Sequence, residues 1–216
     1  LDGVSLHVAK GAPQAIVAWA KADAATSDRI AAMVDKLAAD GYRALAVGSG
    51  TDNGQRQVIG LLPLFDPPRD DSAETIAALD QQGVAVRMVT GDHVAIARQI
   101  GYRLGMDGEF VTADKVFVGE AQPTAEALLA NEGYAQVFPE HKYKIVQVLQ
   151  GGQHFVGMTG DGVNDAPALR QADVGIAVSG ATDAARAAAD LVLTEPGLGV
   201  IRSAIEQSRE IFQRMN

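Results

Sequence analysis

The chain has 216 residues, 47% hydrophobic and 21% charged, enough for one full domain and part of a second. Its net charge of −9 argues against a nucleic-acid ligand, which asks for a basic face, and its lack of cysteine excludes disulfides and thiolate metal sites while remaining compatible with a cytoplasmic origin. No uninterrupted apolar run reaches the ~18 residues of a bilayer span, and residues 1–10 lack the basic start and long apolar stretch of a signal peptide.

In chain order, an amphipathic pattern predicts a helix over 27–39, with Ser27 as N-cap and Gly41 as stop. Next come strands over 44–47 and 57–65, joined by a polar turn over 48–54. The residues after Gly48-Ser49-Gly50 are strand-like, so a hairpin is expected there rather than a dinucleotide loop. Trp19, with Ile16 and Val17, reads as core of this first part, stacking on a base being the lesser alternative. Pro67 and Pro68 fix φ and restrict the residues before them, predicting a stiff hinge strand and a boundary near Asp66. Beyond it, strands over 84–89, 135–138, 154–158, 174–178 and 191–193 alternate with helices, a spacing that predicts one parallel sheet covered on both faces. A closing helix over 198–215 places Ile201, Ala204, Ile205, Ser208, Ile211 and Phe212 on one stripe.

Three strand ends carry the chemistry. The segment Met158-Thr159-Gly160-Asp161-Gly162-Val163-Asn164-Asp165 puts two carboxylates at the carboxyl end of a strand, where ligands of open α/β sheets bind. Asp161 and Asp165 suit Mg²⁺, which is usually held by one or two carboxylates with phosphate oxygens and waters completing its shell. Asn164 adds a donor, and the glycines would let backbone approach a phosphate. Standing alone, such a turn is explained equally well by Asp165 capping the next helix. The strand over 84–89 ends in Thr90-Gly91-Asp92 before a helix over 93–104, offering a hydroxyl and backbone N–H groups to an anion. In Pro139-Glu140-His141-Lys142, Lys142 falls in the first turn of a helix, where the dipole disfavours a cation. A lysine tolerated there is suited to neutralising phosphoryl oxygens and crowded aspartates. His7, His93, His141 and His154 are scattered, with no helical pairing that would hold zinc.

Together these motifs resemble the haloacid dehalogenase-like phosphotransferases and, more specifically, the cytoplasmic part of a P-type ATPase. Asp66-Pro67-Pro68-Arg69, Thr90-Gly91-Asp92, Pro139-Glu140-His141-Lys142 and the 158–169 string occur in that family's order. Lys10-Gly11-Ala12-Pro13 is similar to its adenine-site motif, and Arg43 falls where the family has a nucleotide-phosphate arginine. The 65–76, 181–186 and 192–198 segments and the string Ile211-Phe212-Gln213-Arg214-Met215 narrow the resemblance to the plasma-membrane proton pumps.

The resemblance implies a Rossmannoid parallel sheet with helices on both faces, plus part of an α+β nucleotide-binding domain. Residues 1–66 would be the carboxyl-terminal part of the nucleotide-binding domain and residues 67–216 the phosphorylation domain. ATP would be met by Lys10, Gly11 and Arg43, with Arg69 and Asp92 at the nucleotide side of the cleft. Mg²⁺ would be held by Asp161 with support from Asp165, and phosphoryl oxygens by Thr90, Gly91, Lys142 and Asn164. Partners would be ATP or ADP and the pump's membrane and actuator domains, with proton export as the output.

One departure stands out: the family's phosphorylated aspartate lies in Asp-Lys-Thr-Gly-Thr, which is absent. Of the two Asp-Lys pairs, Asp35 falls in a helical pattern and Asp114 in an irregular stretch, and neither comes after an apolar strand. The expectation is therefore a fragment that begins downstream of that motif and stops near the family's next membrane helix. It would lack the central strand between the 84–89 and 154–158 strands, and so would be inactive alone and prone to self-association. Two alternatives stay open, a stand-alone Mg²⁺-dependent phosphatase of the same superfamily and a non-catalytic nucleotide-binding module.

Overall fold

A computed structural model describes residues 5–51, 54–119 and 122–215. The chain divides into two compact units, Leu1–Pro67 and Pro68–Asn216.

The first unit is an antiparallel sheet, β1 (Leu6–Gly11), β2 (Arg43–Thr51) and β3 (Arg56–Leu64) in the order β1-β2-β3, with helices α1 (Pro13–Ala20) and α2 (Ala24–Ala39) between β1 and β2. Helix α2 begins three residues before Ser27. Its N-cap is Asp23, whose carboxylate accepts the Thr26 N–H at 2.8 Å, while the Ser27 hydroxyl bonds back to the Asp23 carbonyl. The predicted polar turn over 48–54 is also corrected, because β2 continues through it to Thr51. Gly48 and Gly50 are there for packing: a Cβ on Gly48 would stand 2.8 Å from the Trp19 ring, and one on Gly50 2.9 Å from Arg56 Cγ. Trp19 and Ile16 thus pack over Gly48, and the Arg56 guanidinium lies 5.0 Å from the Trp19 ring centre. That use of the indole leaves base stacking without support.

The second unit contains α3 (Ser72–Gln81), β4 (Met88–Val89), α4 (Val94–Arg103), β5 (Phe110–Thr112), α5 (Ala113–Val116), α6 (Ala125–Leu129), β6 (Gly133–Ala135), α7 (Pro139–Gly151), β7 (Gly157–Gly160), a 3-10 turn (Val163–Asp165), α8 (Ala166–Gln171), β8 (Val174–Ala177), α9 (Asp183–Ala188), β9 (Leu191–Val192) and α10 (Gly199–Met215). Its fold is the expected α/β arrangement of parallel strands and helices, but the strands form two three-stranded sheets, β4-β6-β5 and β7-β8-β9, rather than one. β4 and β7 are each an edge, and Phe155, just before β7, is 81% exposed. Helix α7 ties the halves together through paired amides, Gln150 to the Gln171 carbonyl at 3.0 Å and Gln171 to Gln150 Oε1 at 2.8 Å.

The strand spans differ from expectation for local reasons. β6 stops at Ala135 because Gln136 is left-handed at φ 53°, which turns the chain out of the sheet three residues early. β4 is short because only Met88 and Val89 pair, while Arg87 turns its guanidinium to the Val86 and Leu129 carbonyls. With the buried Tyr134 hydroxyl donating to the Leu128 carbonyl, Arg87 closes the carboxyl end of α6. Burial pushes the Tyr134 phenol up, against the opposing pull of Asn131 and Arg87. β5 has no counterpart among the expected strands, and Phe110 explains it: its buried ring fills space where a Cβ on Gly101 or Gly133 would collide with it. A side chain of that size contributes about 1.5–3 kcal/mol on burial.

β5 also corrects the reading of Asp114, which comes after a strand after all, inside the single-turn α5, where its carboxyl is held low by the Thr112 hydroxyl. β5 lies on the far side of β6 from β4, so Asp114 is two strands removed from Thr90. The 66–69 segment is neither strand nor helix, contrary to the predicted hinge strand. Helix α10 has no buried residue. It meets α3 through polar contacts, Gln82 with Glu206, Arg209 with the Gln82 carbonyl and Arg202 with Glu74, and Ile211 and Phe212 of the predicted stripe stay exposed.

Candidate active site

β7 delivers Gly160 to its carboxyl end, and the chain then folds back in the 3-10 turn so that Asp165 comes to rest against it. A Cβ on Gly160 would lie 2.5 Å from Asp165 Cβ and 2.9 Å from its Cγ, so only glycine leaves room for this carboxylate. This gives Gly160 a packing role in addition to the expected backbone approach to a phosphate.

Asp165 is buried, and both its oxygens are engaged. Oδ2 accepts the N–H groups of Asp161 (3.2 Å) and Gly162 (3.1 Å), and Oδ1 accepts Lys142 Nζ at 2.5 Å. Burial pushes its carboxyl up, but the Lys142 ammonium and the two amides more than offset this and hold it below the usual carboxylate range. A buried carboxylate with one cation and two amide donors is satisfied as an ion. It braces the loop and fixes the lysine.

Asp161 is different. It is exposed, and among the described residues no hydrogen bond or ion pair engages its carboxylate, while its carbonyl accepts the Thr182 N–H at 2.8 Å. Asn164 is likewise exposed on the same turn. Of the two predicted metal ligands, then, Asp161 has a carboxylate available and Asp165 has spent its oxygens on the protein. Among the described residues no group of three or more His, Cys, Asp or Glu side chains converges as a metal cage. One available carboxylate fits Mg²⁺, which takes few protein ligands and fills its shell with phosphate oxygens and waters.

Thr90 and Gly91 leave β4 toward α7. The Thr90 hydroxyl accepts the Asp92 N–H at 3.1 Å, and the Thr90 and Asp92 carbonyls accept the N–H groups of Val137 (3.0 Å) and Gln136 (2.9 Å). The Thr90 loop is therefore stitched to the segment entering α7, the helix that carries Lys142 in its first turn. Gly91 is exposed, and a Cβ there would meet only Val137 O at 3.6 Å. Sequence reasoning missed Gln136 and His141 in this junction; Pro139 at the first helical position, with a hydrogen-bonding side chain at the third, was the available signal.

Of the nucleotide candidates, Asp92 is on this Thr90 loop and the others lie elsewhere. In the first unit Lys10 pairs with Val47 and Arg43 with Leu64, so both cations stand on the sheet face opposite the one Gly48 and Gly50 turn toward Trp19. Lys10 and Arg43 are exposed, and Gly11 ends β1. Leu6, Val8, Leu62 and Leu64 give that face an exposed apolar floor. Arg69 is exposed shortly before α3 in the second unit, its carbonyl accepting the Ser72 N–H.

The chain matches the haloacid dehalogenase-like hydrolase family over residues 8–173. It belongs to that family. It is also similar to the protein named "Putative cation-transporting ATPase MJ1226" of Methanocaldococcus jannaschii, 50% identical over 214 residues that cover 96% of this chain and 26% of that protein. Among the described residues no helix is long and apolar enough to cross a membrane.

Proposed function

We propose that this chain is the nucleotide-binding and phosphorylation part of a P-type cation-transporting ATPase, with protons as the cation and the cell membrane as the site of the whole pump. The observation that carries the reading is the Lys142–Asp165 clasp beside the available Asp161 carboxylate, at the ends of parallel strands in a haloacid dehalogenase-like chain. The similarity to a protein named as a cation-transporting ATPase supports the transport class. The choice of protons rests on the resemblance of the 65–76, 181–186, 192–198 and 211–215 segments alone.

In this reading residues 1–66 belong to the nucleotide-binding domain and 67–216 to the phosphorylation domain. The open face with Lys10 and Arg43, together with Gly11 at the end of β1, takes ATP, apolar side chains meeting the base and the cations its phosphates. Arg69 and Asp92 stand at the nucleotide side. Asp161, on the loop that Asp165 braces, would hold Mg²⁺, which would supply charge neutralisation for the phosphate oxygens. Thr90, Gly91 and Asn164 orient the phosphoryl group, and Lys142 holds a fixed positive charge toward it. The acceptor is an aspartate from the rest of the parent protein, on a strand that covers the open edges of β4 and β7, giving an aspartyl-phosphate whose turnover drives export. Without that strand the chain is inactive and its edges are open to pairing with a second copy.

The test is transport by the full-length parent in sealed vesicles given ATP and Mg²⁺. Acidification of the lumen coupled to ATP hydrolysis is expected. Hydrolysis coupled to another cation would move the ion assignment, and hydrolysis without transport would favour a phosphatase.

A further inference from the structure

His141 lies beside Lys142, and its own environment is unusual for a residue on the first turn of a helix. Its imidazole stacks on Phe117, centroids 5.1 Å apart and planes within 4° of parallel, and meets the Phe138 ring at 5.7 Å and 52°. Its Nδ1 accepts the Phe138 N–H at 3.3 Å, so that nitrogen carries a lone pair and the proton of the neutral ring sits on Nε2.

Phe138 is the pivot of the junction. Its carbonyl accepts the His141 N–H at 3.0 Å and the Lys142 N–H at 3.3 Å, while its own N–H would have no helical partner, and Pro139 after it has no N–H at all. One residue earlier, Val137 and Gln136 are bonded to the Thr90 and Asp92 carbonyls, with Gln136 held left-handed. The imidazole therefore satisfies the Phe138 donor within a strip that runs from the Thr90 loop into the turn bearing Lys142. Stacking on Phe117, which packs against the cluster of Leu128, Tyr134, Ile145 and Val148, anchors the ring to the core.

We propose that His141 is a positioning residue: by accepting the Phe138 N–H while stacked on Phe117, it fixes the first turn of α7 and so holds the Lys142 ammonium on Asp165 and in register with the Thr90 loop. The inference rests on the reading of Lys142 as the phosphoryl-facing cation only for its catalytic consequence. The geometric part stands without it.

The two parts are tested separately. In this chain at neutral pH, the ¹⁵N shifts of the wild-type His141 ring are expected to report Nε2–H with a bare Nδ1. A ring protonated on Nδ1 would overturn the proposal before any variant is made. The Lys142 ammonium, identified by its loss in Lys142→Met, is expected to give a slowly exchanging ¹H–¹⁵N signal. His141→Phe keeps the stack without the acceptor, and should lose that signal together with hydrogen-exchange protection at the Phe138 amide. His141→Gln restores an acceptor of the kind capping boxes use and should keep both. Retention of both by His141→Phe would overturn the proposal.

In the full-length parent, His141→Phe should lower kcat on the order of tenfold with KM for ATP unchanged, while His141→Gln stays near wild type. If the signals in the isolated chain behave as expected and kcat does not move, the positioning holds and the catalytic reading of Lys142 fails. If kcat moves while the Lys142 signal does not, the positioning fails and that reading stands.

Discussion

Positive charge is presented in two ways in this chain. Lys142 is drawn onto a buried carboxylate at 2.5 Å, its side chain only 19% exposed, on a turn bonded to the neighbouring loop. Lys10 and Arg43 stand exposed on a sheet face with an apolar floor. A cation held in place before the reaction needs no reorganisation when charge develops beside it, which is what makes preorganised groups effective in catalysis. An exposed cation on a long stem adapts to its ligand at the cost of its rotamer freedom, which suits binding. The first arrangement should govern rate and the second affinity.

The largest effect that would break this comparison is on turnover. In the full-length parent, Lys142→Ala and Asp161→Asn should each lower kcat by on the order of 10²-fold or more, whereas Arg43→Ala should act chiefly on KM. Steady-state ATP hydrolysis across nucleotide concentrations separates the two. A Lys142→Ala enzyme with normal kcat would remove the distinction.

Gly160 sharpens the same point through stability. Gly160→Ala forces a Cβ into the seat of the Asp165 carboxylate and should cost about 1–3 kcal/mol in urea unfolding, while Gly91→Ala, whose new Cβ meets ordinary contact distance, should cost far less. Equal effects would mean Asp165 is not seated where Gly160 admits it. Acid gives an independent check on that seat. Because the folded Asp165 carboxyl is held below its ordinary value of 3.8, the folded state binds fewer protons than the unfolded chain near that pH. The stability Asp165 confers is complete above that value and is lost as pH falls below it. Subtracting the pH profile of Asp165→Asn from that of the wild type should leave a difference that shrinks below about pH 4. A difference that grows with acid would reverse the sign of the argument.

Weaker effects belong to the open face. Lys10→Ala and Arg43→Ala should each weaken ADP binding to this chain by roughly tenfold, the ~1.5 kcal/mol end of a charge-assisted contact. Calorimetry at millimolar nucleotide reads this directly. No loss in either variant would leave the face without a nucleotide role.

These contrasts also mark how much of the molecule is legible in its sequence. Lys142 is visible there because a cation at a helix start is a misfit that needs an anion, and Asp165 supplies one. The carboxylates at the end of β7 are visible from a strand-then-turn pattern. The division of labour between them is not, because it depends on Gly160 admitting Asp165 and on the chain folding back over three residues. Gly48 and Gly50 read as a turn because glycine is the usual turn residue, yet here they make room for Trp19 and Arg56. β5 leaves no periodic trace in three residues, and its reason, the Phe110 ring against Gly101 and Gly133, is tertiary. The break into two sheets is likewise hidden: the alternation of strands and helices sets strand count and direction, while pairing is decided by which neighbours are present.

The smallest predicted effect is the most discriminating control. Lys144 comes two residues after Lys142, which on a helix places it about 200° around the axis, and it is exposed where Lys142 is half-buried. Its charge is the same, and it lies even closer in sequence to the loop that Asp165 braces. If Lys142 acted only by adding to a general positive field, Lys144→Ala in the parent would lower the rate comparably, since a field from exposed charges depends on distance more than on direction. If Lys142 acts through its fixed contact with Asp165, Lys144→Ala should leave kcat within about twofold and stability within ±0.5 kcal/mol, the usual range for a surface substitution. Measured side by side at two salt concentrations, the Lys144 variant should also show no change in salt dependence. Damage from Lys144→Ala matching that from Lys142→Ala would mean that the ion pair is incidental and that the functional lysine has been misassigned.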